Sequence, residues 1–126
     1  MAVNTERLFK LLNSRGVSGD ESEIRAAITE IVRPLCDDIT VDTMGNLFAH
    51  KKGSGKSNVR AMVCAHMDEV GLIVSWFRDD GLLEYDTVGG IDPRVLASKR
   101  VKIGKNNVPG VIGAKAIHLQ SEAEYH

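Results

Sequence analysis

His66, Asp68 and Glu69 stand within four residues of one another, in Ala65-His-Met-Asp-Glu-Val-Gly71. An imidazole nitrogen is a good ligand for zinc and related divalent ions, and a carboxylate two positions on can hold the ring and raise its basicity. His66-x-Asp68 alone is a weak signal, because a single histidine at a strand end is more often a hydrogen-bonded structural residue. A catalytic zinc needs about three protein ligands. The other histidines, His50, His118 and His126, lie at no helical i, i+4 spacing with another ligand. Composition and spacing therefore give part of a metal site, and which metal is left open.

The element that must position these residues is the run Val59 to Ala65, apolar or small except for Arg60. Such runs are typical of strands covered on both faces, and it predicts a buried central strand delivering His66 to a sheet's carboxyl end, where ligands gather in open α/β folds. Burial there would require the carboxylate and imidazole to be paired or to bind a cation. Upstream, Leu8, Phe9, Leu11 and Leu12 predict a short amphipathic helix over Thr5 to Arg15 with Gly16 as its stop. Ser18 and Glu21 have capping-box spacing, and the period of Ile24, Ala27, Ile28, Ile31, Val32 and Leu35 predicts a second helix, ended or kinked at Pro34. Ile39 to Val41 and Leu47 to His50 flank a Gly45-Asn46 turn signal and predict a hairpin. Lys51 to Ser57 lacks phosphate-loop spacing and reads as an exposed loop.

Beyond Gly71 the pattern changes. Leu72 to Phe77, Leu82 to Tyr85, Arg100 to Ile103 and Val108 to Ile112 are short β-type runs separated by Asp79-Asp80-Gly81, Gly89-Gly90 and Asn106-Asn107, with no helical period between Leu72 and His118. The expected fold class is thus α/β over residues 1–71, followed by a small β domain, a barrel or sandwich, over residues 72–126. With a net charge of −1 and scattered Lys and Arg, no basic face for nucleic acid or anionic membrane is expected. No segment of signal-peptide type and no stretch near ~20 apolar residues is present, so a cytoplasmic protein without a membrane partner is expected. Cys36 and Cys64 lie in apolar patterns and read as buried free thiols.

Ala65 to Gly71, taken with Val88-Gly-Gly-Ile-Asp-Pro-Arg-Val-Leu96, Arg100-Val-Lys-Ile-Gly104 and Gly110-Val-Ile-Gly-Ala-Lys-Ala-Ile-His-Leu119, resembles the forty-second metallopeptidase family. These are dinuclear aminopeptidases, including glutamyl and tetrahedral aminopeptidases, some labelled endoglucanases. The resemblance implies a zinc-exopeptidase α/β domain interrupted after the His-x-Asp strand by a PDZ-like or barrel-like dimerisation domain. It makes His66 a ligand of one of two divalent ions, zinc or cobalt, and Asp68 the catalytic-site acid that orients it. Glu69 carries a structural role, Asp92 and Arg94 a turn or interface role, and His118 a place outside the metal centre. The remaining ligands and the general-base glutamate of the family fall beyond the equivalent of His126. The expectation is an amino-terminal portion of a peptide-hydrolysing homo-oligomer, inactive by itself, with the two metal ions belonging to the complete enzyme. A non-catalytic module dimerising through its β half is the alternative. A carbohydrate-active reading lacks an acidic pair framed by sugar-stacking aromatics.

Overall fold

The computed structural model describes residues 4–55, 59–114 and 118. Two compact units, residues 1–90 and 91–126, are each described by themselves.

In the first unit α1 (Thr5–Asn13) begins at Asn4, whose side chain accepts from the Arg7 amide and so satisfies one of the free donors of the first turn. It ends at Ser14, in extended conformation, three residues before the loop reaches Val17. Gly16 is not the expected left-handed stop. It is buried, and its conformation lies outside the positive-φ set. α2 (Ser22–Val32) turns Ile24 and Ala27 inward. At Pro34 it tightens into a single 3₁₀ turn, Arg33–Leu35, as a residue lacking an amide donor requires. The capping box does not form: Glu21 is the N-cap residue without a side-chain cap, and its Oε1 accepts from the Gly19 amide.

β1 (Asp38–Val41) and β2 (Leu47–His50) form the expected antiparallel hairpin, with Val41 opposite Leu47. Its turn is built by Asp42, whose Oδ1 accepts from the amides of Met44 and Asn46 while Oδ2 accepts from the Asn46 side chain. These bonds, the Asn46 side chain first, hold the Asp42 carboxyl below the usual carboxylate range. Gly45 has φ +86°, and a Cβ there would also lie 2.7 Å from Arg25 Nη2. Arg25 Nε donates to the Gly45 carbonyl at 2.8 Å and so ties the hairpin to α2. Lys51 and Lys52 are likewise engaged in structure, the first through Nζ with the Leu35 carbonyl and the second through its amide with Asp37.

β3 (Gly71–Phe77) pairs antiparallel with β4 (Leu83–Val88), with a register shift between Val74 and Trp76. The Asp79-Asp80-Gly81 turn reverses the chain there, with Gly81 at φ +83°. In the second unit β5 (Arg100–Ile103) pairs with β6 (Val108–Val111), and two bonds of 2.9 Å, from the Ser98 amide to the Ile112 carbonyl and from the Ile112 amide to the Lys99 carbonyl, continue the pairing at the buried Ile112. The described strands thus make three two-stranded antiparallel sheets.

Residues 59–68 belong to no strand. This corrects the expected buried central strand: Met62 is 84% and Val63 96% exposed. A strand closed on both faces needs flanking strands and covering helices, and among the described residues no strand pairs with this run. Cys64 is exposed with it and Cys36 is half-buried, so the reading of two buried thiols is corrected as well. Among the described residues the buried hydrophobic side chains are Ile24, Ala27 and Ile112, few against the exposed Phe9, Leu12, Phe48, Val59, Trp76 and Phe77.

Candidate metal-ligand site

The loop between α1 and α2 is laid against residues 66–71. The Glu69 amide donates to the Gly16 carbonyl at 2.6 Å, and Val17 bridges to Glu69 in parallel sense and to Asp20 in antiparallel sense. The approach is close because two glycines permit it. A Cβ on Gly16 would lie 2.6 Å from Ile24 Cγ2 and 3.0 Å from the Met67 carbonyl, and one on Gly71 would lie 2.5 Å from Val17 Cγ2.

This contact sets the geometry of His66 and Asp68. Asp68 Oδ2 accepts from Ser18 Oγ at 2.5 Å, and its Oδ1 lies 3.1 Å from His66 Nδ1, which is also 3.0 Å from the Asp68 carbonyl. The Ser18 hydroxyl first, and the His66 ring second, hold the Asp68 carboxyl below the usual carboxylate range. An ionised carboxylate and a carbonyl only accept, so Nδ1 must carry the hydrogen, and the neutral ring then presents its lone pair at Nε2. That is the tautomer a metal takes through Nε2, with the other nitrogen held by a carboxylate.

His66 is 86% and Asp68 43% exposed. The expectation that burial forces this pair together is therefore corrected. The hydrogen bond from Ser18 and the backbone clamp at Gly16 do that work. The donor set fits one nitrogen-ligand position of a metal centre, His66 Nε2, with Asp68 behind the ring. Among the described residues no group of three His, Cys, Asp or Glu side chains converges as a metal cluster. Glu69 is joined to the loop through its backbone.

Asp92 and Arg94 belong to the second unit. Asp92 caps the 3₁₀ turn Pro93–Val95 by accepting from the Arg94 amide, and it accepts again from the Arg94 guanidinium, with Nη2 at 2.6 Å. Both carboxylate oxygens are engaged by Arg94, as befits a turn. His118 is exposed, and His126 lies outside the described residues.

Ser18 and Gly16 are the site residues that sequence reasoning missed. Ser18 stands 50 positions from Asp68, and its spacing to Glu21 favoured a local cap. The available signal was Gly16-Val-Ser-Gly19, small residues in a loop between two helices, where close backbone approach is possible.

Comparison with known proteins gives this geometry a context. A sequence profile described as M42 glutamyl aminopeptidase matches residues 45–126. A putative aminopeptidase of Acetivibrio thermocellus is 48% identical over 114 residues, covering 87% of this chain and 33% of that protein. Among solved structures, a TET aminopeptidase from a marine sediment archaeon of the Thaumarchaeota superposes with a TM-score of 0.82 at 34% identity, over 95% of this chain and 33% of that one. The TET1 peptidase of Pyrococcus horikoshii, described as assembling into a tetrahedron or a large octahedral shell, gives a TM-score of 0.76 at 37% identity, over 94% of this chain and 35% of that one. The chain spans about a third of the length of these relatives. With the profile covering well over half of its residues, the chain belongs to the M42 glutamyl aminopeptidase family.

Proposed function

We propose that this chain forms the amino-terminal third of a metal-dependent aminopeptidase that removes residues from the free N-terminus of peptides. The observation that carries the proposal is the His66 ring, turned by Asp68 so that Nε2 keeps its lone pair, in a chain of this family. In this reading His66 ligates one of two divalent ions, zinc or cobalt, and Asp68 fixes the ring. Such ions supply Lewis-acid polarisation of the scissile carbonyl and activation of water. The chain's own contribution is to hold the imidazole in one tautomer and one orientation, so that little ordering remains when a ligand arrives.

Residues 1–71 are then the first part of the catalytic α/β domain, and residues 72–126 open a β-rich dimerisation insert, a division supported by the change of sequence pattern at Leu72. A homo-oligomer is supported by the assembling TET1 relative. A cytoplasmic location rests on the sequence reading, beside the finding that no helix among the described residues is long and apolar enough to cross a membrane. By itself the chain is expected to turn nothing over, since among the described residues one nitrogen ligand, His66 Nε2, is oriented and no group of three His, Cys, Asp or Glu side chains converges around it.

The test replaces the corresponding third of the Pyrococcus horikoshii TET1 peptidase by this chain and follows aminoacyl-anilide hydrolysis. His66→Ala should abolish turnover, whereas Asp92→Ala, a turn cap in the second unit, should leave it within about threefold. Comparable losses from the two would sink the assignment.

A further inference from the structure

We propose that Ser18 is the positioning residue of the His66–Asp68 pair: its hydroxyl locks the Asp68 carboxylate in the plane that selects the His66 tautomer. The inference deepens the proposed function, and rests on it only for the use to which the ring is put.

A carboxylate rotates readily about its terminal torsion, which is broad and nearly two-fold. One hydrogen bond from a ring that is 86% exposed, and whose Nδ1 hydrogen is shared between Asp68 Oδ1 and the Asp68 carbonyl at 3.0 Å, does not by itself fix the carboxylate. Asp68 has a second tether on the opposite oxygen, Ser18 Oγ at 2.5 Å from Oδ2, which leaves Oδ1 for the imidazole. Hydrogen bonds to ionised groups are short and roughly twice as strong as neutral ones, so this tether sets the torsion.

Ser18 can act as an anchor because its own backbone is held independently of its side chain. On the preceding side Gly16 accepts from Glu69, and Val17 accepts from Asp20 at 2.8 Å while packing against Gly71. Removing the hydroxyl therefore releases the carboxylate but leaves the loop in place. This separates positioning from scaffolding: the Gly16–Glu69 bond reports the scaffold, and the His66 tautomer reports the positioning.

The experiment uses the 126-residue chain, labelled with ¹⁵N and stripped of metal with a chelator. It is held near pH ~8, above the ordinary imidazole range. Long-range ¹H–¹⁵N correlation gives the ratio of Nδ1–H to Nε2–H tautomers for His66, with the exposed His50 as internal reference. The wild-type ratio should exceed that of His50 by about tenfold, the factor one charge-assisted hydrogen bond gives. Ser18→Ala should lower it by at least about threefold, and Ser18→Thr should restore it, with exchange protection of the Glu69 amide unchanged throughout. The proposal is overturned by a wild-type ratio equal to that of His50 or by a Ser18→Ala ratio equal to wild type. It is also overturned if the tautomer is lost only together with Glu69 protection, which would make Ser18 a structural residue. No metal and no turnover enter the measurement, so its failure is distinct from failure of the aminopeptidase reading.

Discussion

Gly16→Ala is the substitution that most sharply probes how the loop between α1 and α2 is held against His66 and Asp68. The added methyl would sit 2.6 Å from Ile24 Cγ2, 3.2 Å from Ile24 Cβ and 3.0 Å from the Met67 carbonyl, where carbon atoms ordinarily approach to about 3.5–4.0 Å. Neither neighbour yields easily. Ile24 is 6% exposed and β-branched on a helix, which leaves it essentially one χ1 rotamer, and the Met67 oxygen is backbone between His66 and Asp68. Overpacking of this kind costs about 1–3 kcal/mol, and the smaller entropy of the unfolded alanine chain returns about 0.4–1 kcal/mol. We expect a net loss of about 1–2 kcal/mol in urea denaturation, with exchange protection of the Glu69 amide falling as its bond to Gly16 lengthens. A double-mutant cycle with Ile24→Leu, which keeps the volume but removes the branch at Cβ, should recover about 1 kcal/mol of that loss. The recovery should be partial, because the Met67 contact persists. An unchanged midpoint for Gly16→Ala, or an equal cost in both backgrounds, would refute the close approach on which the site geometry rests.

Further outcomes follow from other parts of the chain. The Asp42 carboxyl lies below its unfolded range, so its support of the β1–β2 turn is complete above the unfolded carboxylate pKa of about 3.9 and is lost as pH falls through the lower folded value. The Met44 and Asn46 amide shifts should accordingly be flat above about pH 5 and move in acid, and Asp42→Asn should remove that titration. Cys64 is exposed and Cys36 half-buried with its thiol on the Val32 carbonyl, so a disulfide reagent under native conditions should label Cys64 first, and equal rates would contradict the exposed course of residues 59–64. Gly71→Ala should disturb the start of β3, because both methyls of Val17 would lie within 2.8 Å of the new Cβ. Loss of the Leu72–Thr87 pairing in amide exchange would show it.

Much of the local structure was legible in the sequence, because its causes are local. Pro34 ends α2 wherever the chain goes next, and Asp42 and Gly45 build their turn from bonds spanning at most four residues. β5 follows the limits of its alternating β-type run, Arg100 to Ile103. What failed was whatever depended on distant partners. The run Val59 to Ala65 carries the composition of a buried strand, but composition states only that flanking strands are wanted, and none pairs with it among the described residues. Ser18 obeyed the spacing of a capping box, yet α2 starts only at Ser22 with Glu21 as its N-cap, and the Ser18 hydroxyl donates to a carboxylate 50 residues away. For the candidate site, spacing and family resemblance led to the expectation that Asp68 would hold the His66 ring, and the two side chains do lie together. The serine and glycine that set their geometry were not.

The measurement that bears most directly on the role of His66 is the metal count of the TET1 chimera carrying this chain, taken by mass spectrometry after exhaustive desalting, with and without His66→Ala. Two divalent ions per chain are expected before the substitution and one after it, with Asp92→Ala unchanged. Two ions retained in His66→Ala would contradict it.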